Sequence, residues 1–216
     1  IFEYFAGIVE GKVLEWGMPP DEVFIRSLES HLDWPVLGTR DYLVLTSEQD
    51  AAFASKLQSW MSEEMNWTFD PDDPDNWRET LERAARTLCY VFCNRAIFFE
   101  AIRAKYPEQI NELKMPRRGQ QAERGIYDYF RRQFRKAVRE SGDYEPIFYP
   151  QVDDWAGALV FASDMACQGW SGLFTNLAQY NFRQIPYDII GGIFQKLISP
   201  EERQKFGQFY TNEDII

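Results

Sequence analysis

A chain of 216 residues and 25.5 kDa, 45% apolar and 16% aromatic, can bury about 70% of its unfolded surface in a core of its own. That excludes intrinsic disorder. The balance of 23 Lys+Arg against 34 Asp+Glu gives a net charge of −11, which excludes a generally basic nucleic-acid coat protein but not a local basic patch.

In chain order, helical periodicity dominates. Pro19-Pro20-Asp21 opens a segment expected to run to about Leu32. Asp41 to Thr46 (DYLVLT) is the one strand expected. Ser47, with Asp50 three residues on, reads as the N-cap of a helix reaching to about Trp67. The Pro- and Asp-rich stretch Phe69 to Asp75 cannot continue a helix.

A long helix is expected from about Trp77 to Lys105, stopped by Tyr106-Pro107, and apolar round much of its circumference. That pattern marks a central, buried helix. A second helix spans about Gln120 to Ser141 and stops near Gly142. Glu145 to Val152 is extended, and Asp153 or Asp154 caps a helical stretch through about Tyr180. Two short helices follow, at about Tyr187–Ile198 and Pro200–Phe206. The fold class is all-α or nearly so: an irregular helical bundle round one long buried central helix.

Charge divides the chain into an acidic N-terminal helical part, 1–80, and a helical core with a basic helix, 81–206. A short segment, 207–216, follows. Residues 1–80 carry 17 acidic and 5 basic side chains, a net of −12. From Lys114 to Arg139, nine basic residues face only Glu123 and Asp128, a net of +7. On a helical wheel Ile126, Phe130, Phe134, Ala137 and Val138 share one side, and Arg124, Arg131, Arg132, Arg135 and Arg139 the other. A guanidinium face pairs with phosphate oxygens and releases counterions. A solvated face, or one that neutralises the acidic front half, is the plainer explanation of the same charges. Tyr127 and Tyr129 are placed either to stack on bases or to pack.

Three cysteines do not make a disulfide framework. Cys89 and Cys93 share a helix face, and with Cys167 and the single histidine, His31, they fall short of a convincing four-ligand zinc set. They are expected as buried thiols in a reducing, cytoplasmic setting. His31 reads as structural, and no metal is expected. The longest apolar run, Trp155 to Ala162, has eight residues, too few for the ~18 that span a bilayer, so no membrane partner is expected. Ile1 in place of Met, and a segment just beginning at Ile216, lead to the expectation of a longer polypeptide.

The most specific segment is Tyr187 to Ile216. Ser199-Pro200-Glu201-Glu202 is a capping box with proline at N1. Gly207 fits a left-handed helix stop, and Thr211, three residues before Asp214, reads as a second N-cap. A helix N-terminus of this kind offers N–H groups and positive potential to an anion. An ordinary interhelical linker has the same spacing.

Asp188-x-x-Gly191-x-x-Phe194-Gln195, then Glu202-Arg203 and Gly207-Gln208-Phe209-Tyr210-Thr211, resemble the D-x-L-G-x-x-Y-E … G-x-Y-T-P signature. That signature stands just before the catalytic domain of N6-adenine DNA methyltransferases of the type I and type IIG restriction–modification class. Leu88 to Ile102 (LCYVFCNRAIFFEAI) resembles that class's L-x-x-R-x-x-F helix. The resemblance is close over 187–211 and loose over 81–216, and does not extend to the first 80 residues. Asn212 stands where the signature has proline, so its cap is less preorganised; Phe194-Gln195 replaces Tyr-Glu.

The resemblance implies the N-terminal helical region of a DNA adenine N6-methyltransferase from a restriction–modification or phage-defence system. Phe209, Tyr210 and Thr211 would lie on the S-adenosylmethionine side in the full-length protein, with no cofactor bound by this stretch alone. The implied partners are double-stranded DNA, a downstream methyltransferase domain of the same chain, and a specificity or restriction subunit. The glycine-rich cofactor loop and the Asn-Pro-Pro-Tyr-type motif that holds a flipped adenine are absent from these residues, so this stretch alone is expected to be inactive, with no catalytic residue. The residues expected on the DNA backbone are Arg117, Arg118, Arg131, Arg132 and Arg135. A helical protein-interaction scaffold without a cofactor, or an RNA-binding helical domain, are the alternatives.

Overall fold

The computed structural model describes residues 20–116, 123–142, 148 and 155–183. Among them every regular element is helical and no strand occurs, so the fold is an all-α bundle. Its elements are α1 (Pro20–Gln49), α2 (Ala51–Ser59) followed by a π turn (Trp60–Glu64), α3 (Pro74–Lys105), α4 (Glu123–Ser141), a 3₁₀ turn (Ala156–Phe161) and α5 (Asp164–Leu177).

The first helix corrects three expectations. It does not stop near Leu32 but runs on to Gln49, through Pro35. Asp41 to Thr46 is therefore helix and not strand. Within it Leu43 is buried in the core while Leu45 stands exposed. In a strand these two would share a face, whereas on a helix they lie about 200° apart, and the long helical context overrides the local β preference. Ser47 caps nothing; it lies in the last turn of α1, and Asp50 is the N-cap of α2, its carboxylate accepting from the Ala52 and Phe53 N–H groups at 2.9 and 3.1 Å.

Proline in a helix interior removes a ladder hydrogen bond and crowds the preceding turn. Here the ring finds a matching seat. Gly169 of α5 lies so close to Pro35 that a Cβ there would come within 2.8 Å of the ring nitrogen. Gly38, one turn on, meets the start of α5 in the same way: a Cβ would lie 2.6 Å from Ala166 N and from Ser163 Oγ. Ser163 is the N-cap of α5, accepting from Ala166 N–H at 3.1 Å; the expected caps, Asp153 and Asp154, lie outside the described residues. Two glycines thus let α1 and α5 pack almost backbone to backbone, the most extensive contact in the bundle.

The Asp-rich turn acts as expected and also starts the next helix. Asp73 accepts from Asp75 and Asn76 N–H, and Pro74 occupies the first turn, where its missing N–H costs nothing. The α3 helix buries sixteen of its residues and packs against α1, α4, α5 and the 3₁₀ turn. Phe92 is its hub: Trp170, Phe161 and Phe130 approach edge-on at 4.9, 5.0 and 5.3 Å between ring centres. Cys89, Cys93 and Cys167 are buried free thiols in this core, and burial pushes the Cys89 thiol up to about 12 against a weaker opposing bond from Thr39. Burial pushes Cys93 up as well.

Beyond α3, Tyr106 ends the helix and Gly142 ends α4 with φ +69°, as the sequence leads one to expect. The chain from Tyr106 to Pro116 is held by Ile110 and Leu113, both buried. Glu100, 2% exposed, reaches out from α3 with one carboxylate oxygen on the Leu113 N–H at 3.2 Å and the other on Arg103 Nε. Desolvation is the larger influence on this carboxyl and raises it above the usual range, against the opposing pull of Arg103 and of the Leu113 N–H. The expected extended segment 145–152 lies outside the described residues save Phe148, whose backbone is helical and not extended and whose ring is buried against Phe134 at 5.1 Å. The two short helices expected at 187–198 and 200–206 lie outside them too.

Candidate nucleic-acid interface

The α4 helix has two faces of opposite chemistry. Ile126, Phe130, Phe134, Ala137 and Val138 are all buried, as the wheel predicts. Phe130 stacks on Phe161 at 5.2 Å, and Phe134 lies 5.9 Å from Phe92 and 6.0 Å from Phe99. These contacts set the rotation of the helix, and so decide what faces outward.

Outward stand Arg132, Arg135 and Arg139, all exposed. They follow an i, i+3, i+7 spacing, so they share one stripe about 10 Å long. Arg131 is half-buried; its guanidinium and that of Arg124 each lie 3.6 Å from the same oxygen of Asp128. The acid therefore partly neutralises one flank of the helix and leaves the Arg132 stripe positive. Lys114, also exposed, is 3.1 Å from Glu112.

Of the five arginines expected on a phosphate backbone, the structure brings Arg131, Arg132 and Arg135 onto one helix. Arg117 and Arg118 lie outside the described residues, as do Phe209, Tyr210 and Thr211. Arg139 completes the stripe, and its spacing from Arg132 already signals this in the sequence. Arg95 is a different case: it comes from α3 and donates to the Tyr127 hydroxyl at 2.8 Å, a contact with no local sequence signal. Tyr127 is fully buried, its ring among Phe92 and Phe161, so it packs and does not stack on bases. Tyr129 is partly buried beside Phe130, 5.2 Å away.

A concavity lies between α1 and α5, lined by His31, Gln168, Ser171, Thr175, Asn176 and Gln179. His31 Nδ1 donates to the Ser27 carbonyl at 2.7 Å, and the Ser27 hydroxyl donates to Asn176 at 3.0 Å. The histidine thus ties its own helix turn, consistent with a structural role. Among the described residues no helix is long and apolar enough to cross a membrane.

No protein-family model, curated protein or solved structure matches the chain.

Proposed function

We propose that this chain is the N-terminal helical module of an S-adenosylmethionine-dependent DNA adenine N6-methyltransferase, and that α4 lies along the phosphate backbone of duplex DNA. The observation that carries the DNA-binding half is the arginine stripe on a helix whose opposite face is locked into the core. Rigid seating matters because the backbone that carries the three arginines is already fixed and gives up no further freedom on binding. The stripe spans the axial rise of about three phosphates of one strand, at ~3.4 Å each. The methyl-transfer half rests on the likeness of Asp188 to Thr211 to the segment that leads into such catalytic domains. In the whole enzyme the cofactor would supply the methyl group to N6 of an extruded adenine; the module's part is to hold the duplex.

The test is duplex binding by the intact chain across a salt series. Each phosphate contact adds about 0.9 to the slope of log affinity against log salt. Reversing Arg132, Arg135 and Arg139 together to Glu is expected to flatten the slope by about 3. An unchanged slope would refute the DNA-contact assignment. The methyl-transfer half is tested separately in the coding sequence beyond Ile216. A strand, a glycine-rich loop and an Asn-Pro-Pro-Tyr-type motif are expected there, and a continuation lacking both motifs would refute it.

A further inference from the structure

The large apolar side chains that stand exposed among the described residues are four: Trp34 at 56%, Leu45 at 55%, Leu37 at 37% and Met165 at 36%. They are not scattered. Trp34, Leu37 and Leu45 fall on one face of α1, with Asp41 between them at the intervening turn, opposite the face that buries Leu28, Leu32 and Leu43. Met165 joins them from the start of α5, since a Cβ on Gly38 would lie 3.1 Å from Met165 Cβ. Isolated exposed apolar residues need no explanation, whereas a gathered set rimmed by polar groups marks an interaction site. The rim here is acidic: Asp33, Glu48 and Asp164 are exposed, and Asp41 is partly exposed, 2.8 Å from Arg40.

We propose that this face docks a basic amphipathic helix from a separate chain, with aliphatic side chains at i, i+3, i+4 and i+7 and Lys or Arg on the flanks. Trp34 to Leu45 spans about 16 Å, or three turns, the length over which a helix lays an apolar stripe on a partner. Charge argues against the other occupants. Residues 1–19 carry three acids to one base, 143–154 four to none, and 184–216 five to three, so each would bring negative charge to a negative rim. The one basic segment outside the described residues, 117–122, has six residues, too few for three turns. A second copy paired face to face would present the same acidic rim, and its basic α4 has its apolar side buried in its own core and has no apolar stripe to offer. The proposal is independent of the arginine stripe on α4, which bears the opposite charge.

The test uses the intact chain and a fluorescein-labelled synthetic 18-residue helical peptide with a leucine stripe flanked by lysines. Two controls accompany it, one with Glu in place of every Lys and one with the same composition scrambled. Anisotropy titration is expected to show the lysine peptide binding at least about tenfold more tightly than either control. The double variant Trp34→Ser/Leu45→Ser should weaken it by at least about tenfold, with unchanged circular dichroism and an unchanged DNA salt slope. Asp33→Lys/Glu48→Lys should invert the preference between the Lys and Glu peptides. Equal binding of the peptides by the wild-type chain, or undiminished binding by the Ser variant, would overturn the proposal. So would self-association of the free chain that the Ser variant abolishes. Shielding of Trp34 from acrylamide in the free chain, read as wild type against Trp34→Phe, would assign the face to the chain's own segments and overturn it too.

Discussion

Two glycines three residues apart in α5 should respond oppositely to the same substitution. At Gly172 an added methyl would sit 3.7 Å from His31 Cδ2, an ordinary contact. Ala there removes the entropy penalty of helical glycine and is expected to stabilise the chain by about 0.5–1 kcal/mol. At Gly169 the added methyl would fall 2.8 Å from both Pro35 Cγ and Pro35 N, and closer still to Cδ. A proline ring cannot rotate aside, and its nitrogen is backbone, so the two helices must separate. Overpacking of a closed interface costs about 1–3 kcal/mol, sometimes more. Because this interface is the most extensive in the bundle, the upper part of that range applies. Setting about 3 kcal/mol against the same propensity gain leaves Gly169→Ala destabilised by about 2 kcal/mol. The two variants should then differ by about 3 kcal/mol, or about 6–12 °C in Tm for a chain of this size. Urea melts of both variants, with equal m values as the check on two-state behaviour, measure this directly. Shifts of the same sign, or a stabilised Gly169→Ala, would refute the close approach of α1 and α5.

Glu100 should leave a pH signature. Its carboxyl is raised in the folded chain, chiefly by burial, above the ordinary 4.5. The folded state therefore holds the proton more tightly than the unfolded state does. Its contribution to stability is full below about 4.5 and is lost as pH rises through the folded-state value. Comparing melts of wild type and Glu100→Gln from pH 4 upward, the wild-type advantage should shrink with rising pH; a difference that grows or stays flat would contradict the assignment. The cysteines offer a simpler check. Cys89 and Cys93 are fully buried and their thiols are raised by that burial. Since the thiolate is the reactive form, Ellman's reagent should modify neither in the native chain, and all three cysteines once urea unfolds it. Rapid native labelling of either would refute the packing of α3.

How much was legible depended on whether a signal was local. The amphipathic α4 helix, the Asp73–Pro74 start of α3 and the stops at Tyr106 and Gly142 follow from residues within a turn or two of each other, and these were readable. The interior of α1 was not. Pro35 argues locally for a break, and Asp41 to Thr46 holds the Tyr, Val and Thr that strands favour. Gly169, far along the chain, supplies the space in which α5 packs against that proline ring. As strand and loop, Trp34, Leu37 and Leu45 have no common face, so the apolar stripe exists only because the segment is helical. At the arginine stripe, positive charge and spacing were plain in sequence. The pairing of Asp128 with both Arg124 and Arg131 depends on side-chain conformation. The bond from Arg95 to Tyr127 depends on how α3 crosses α4.

The end of α3 carries a consequence beyond its own capping. Arg183 Nε donates to the Ala104 carbonyl, while Glu100, one turn earlier, holds Leu113 by its N–H. Two stretches of chain far apart in sequence are thus moored to a single pole of the molecule. Both moorings lie on the last two turns of α3, the helix that buries sixteen of its residues. A displacement of that pole shifts Leu113 and Arg183 together, as a yoke moves two lines made fast to it.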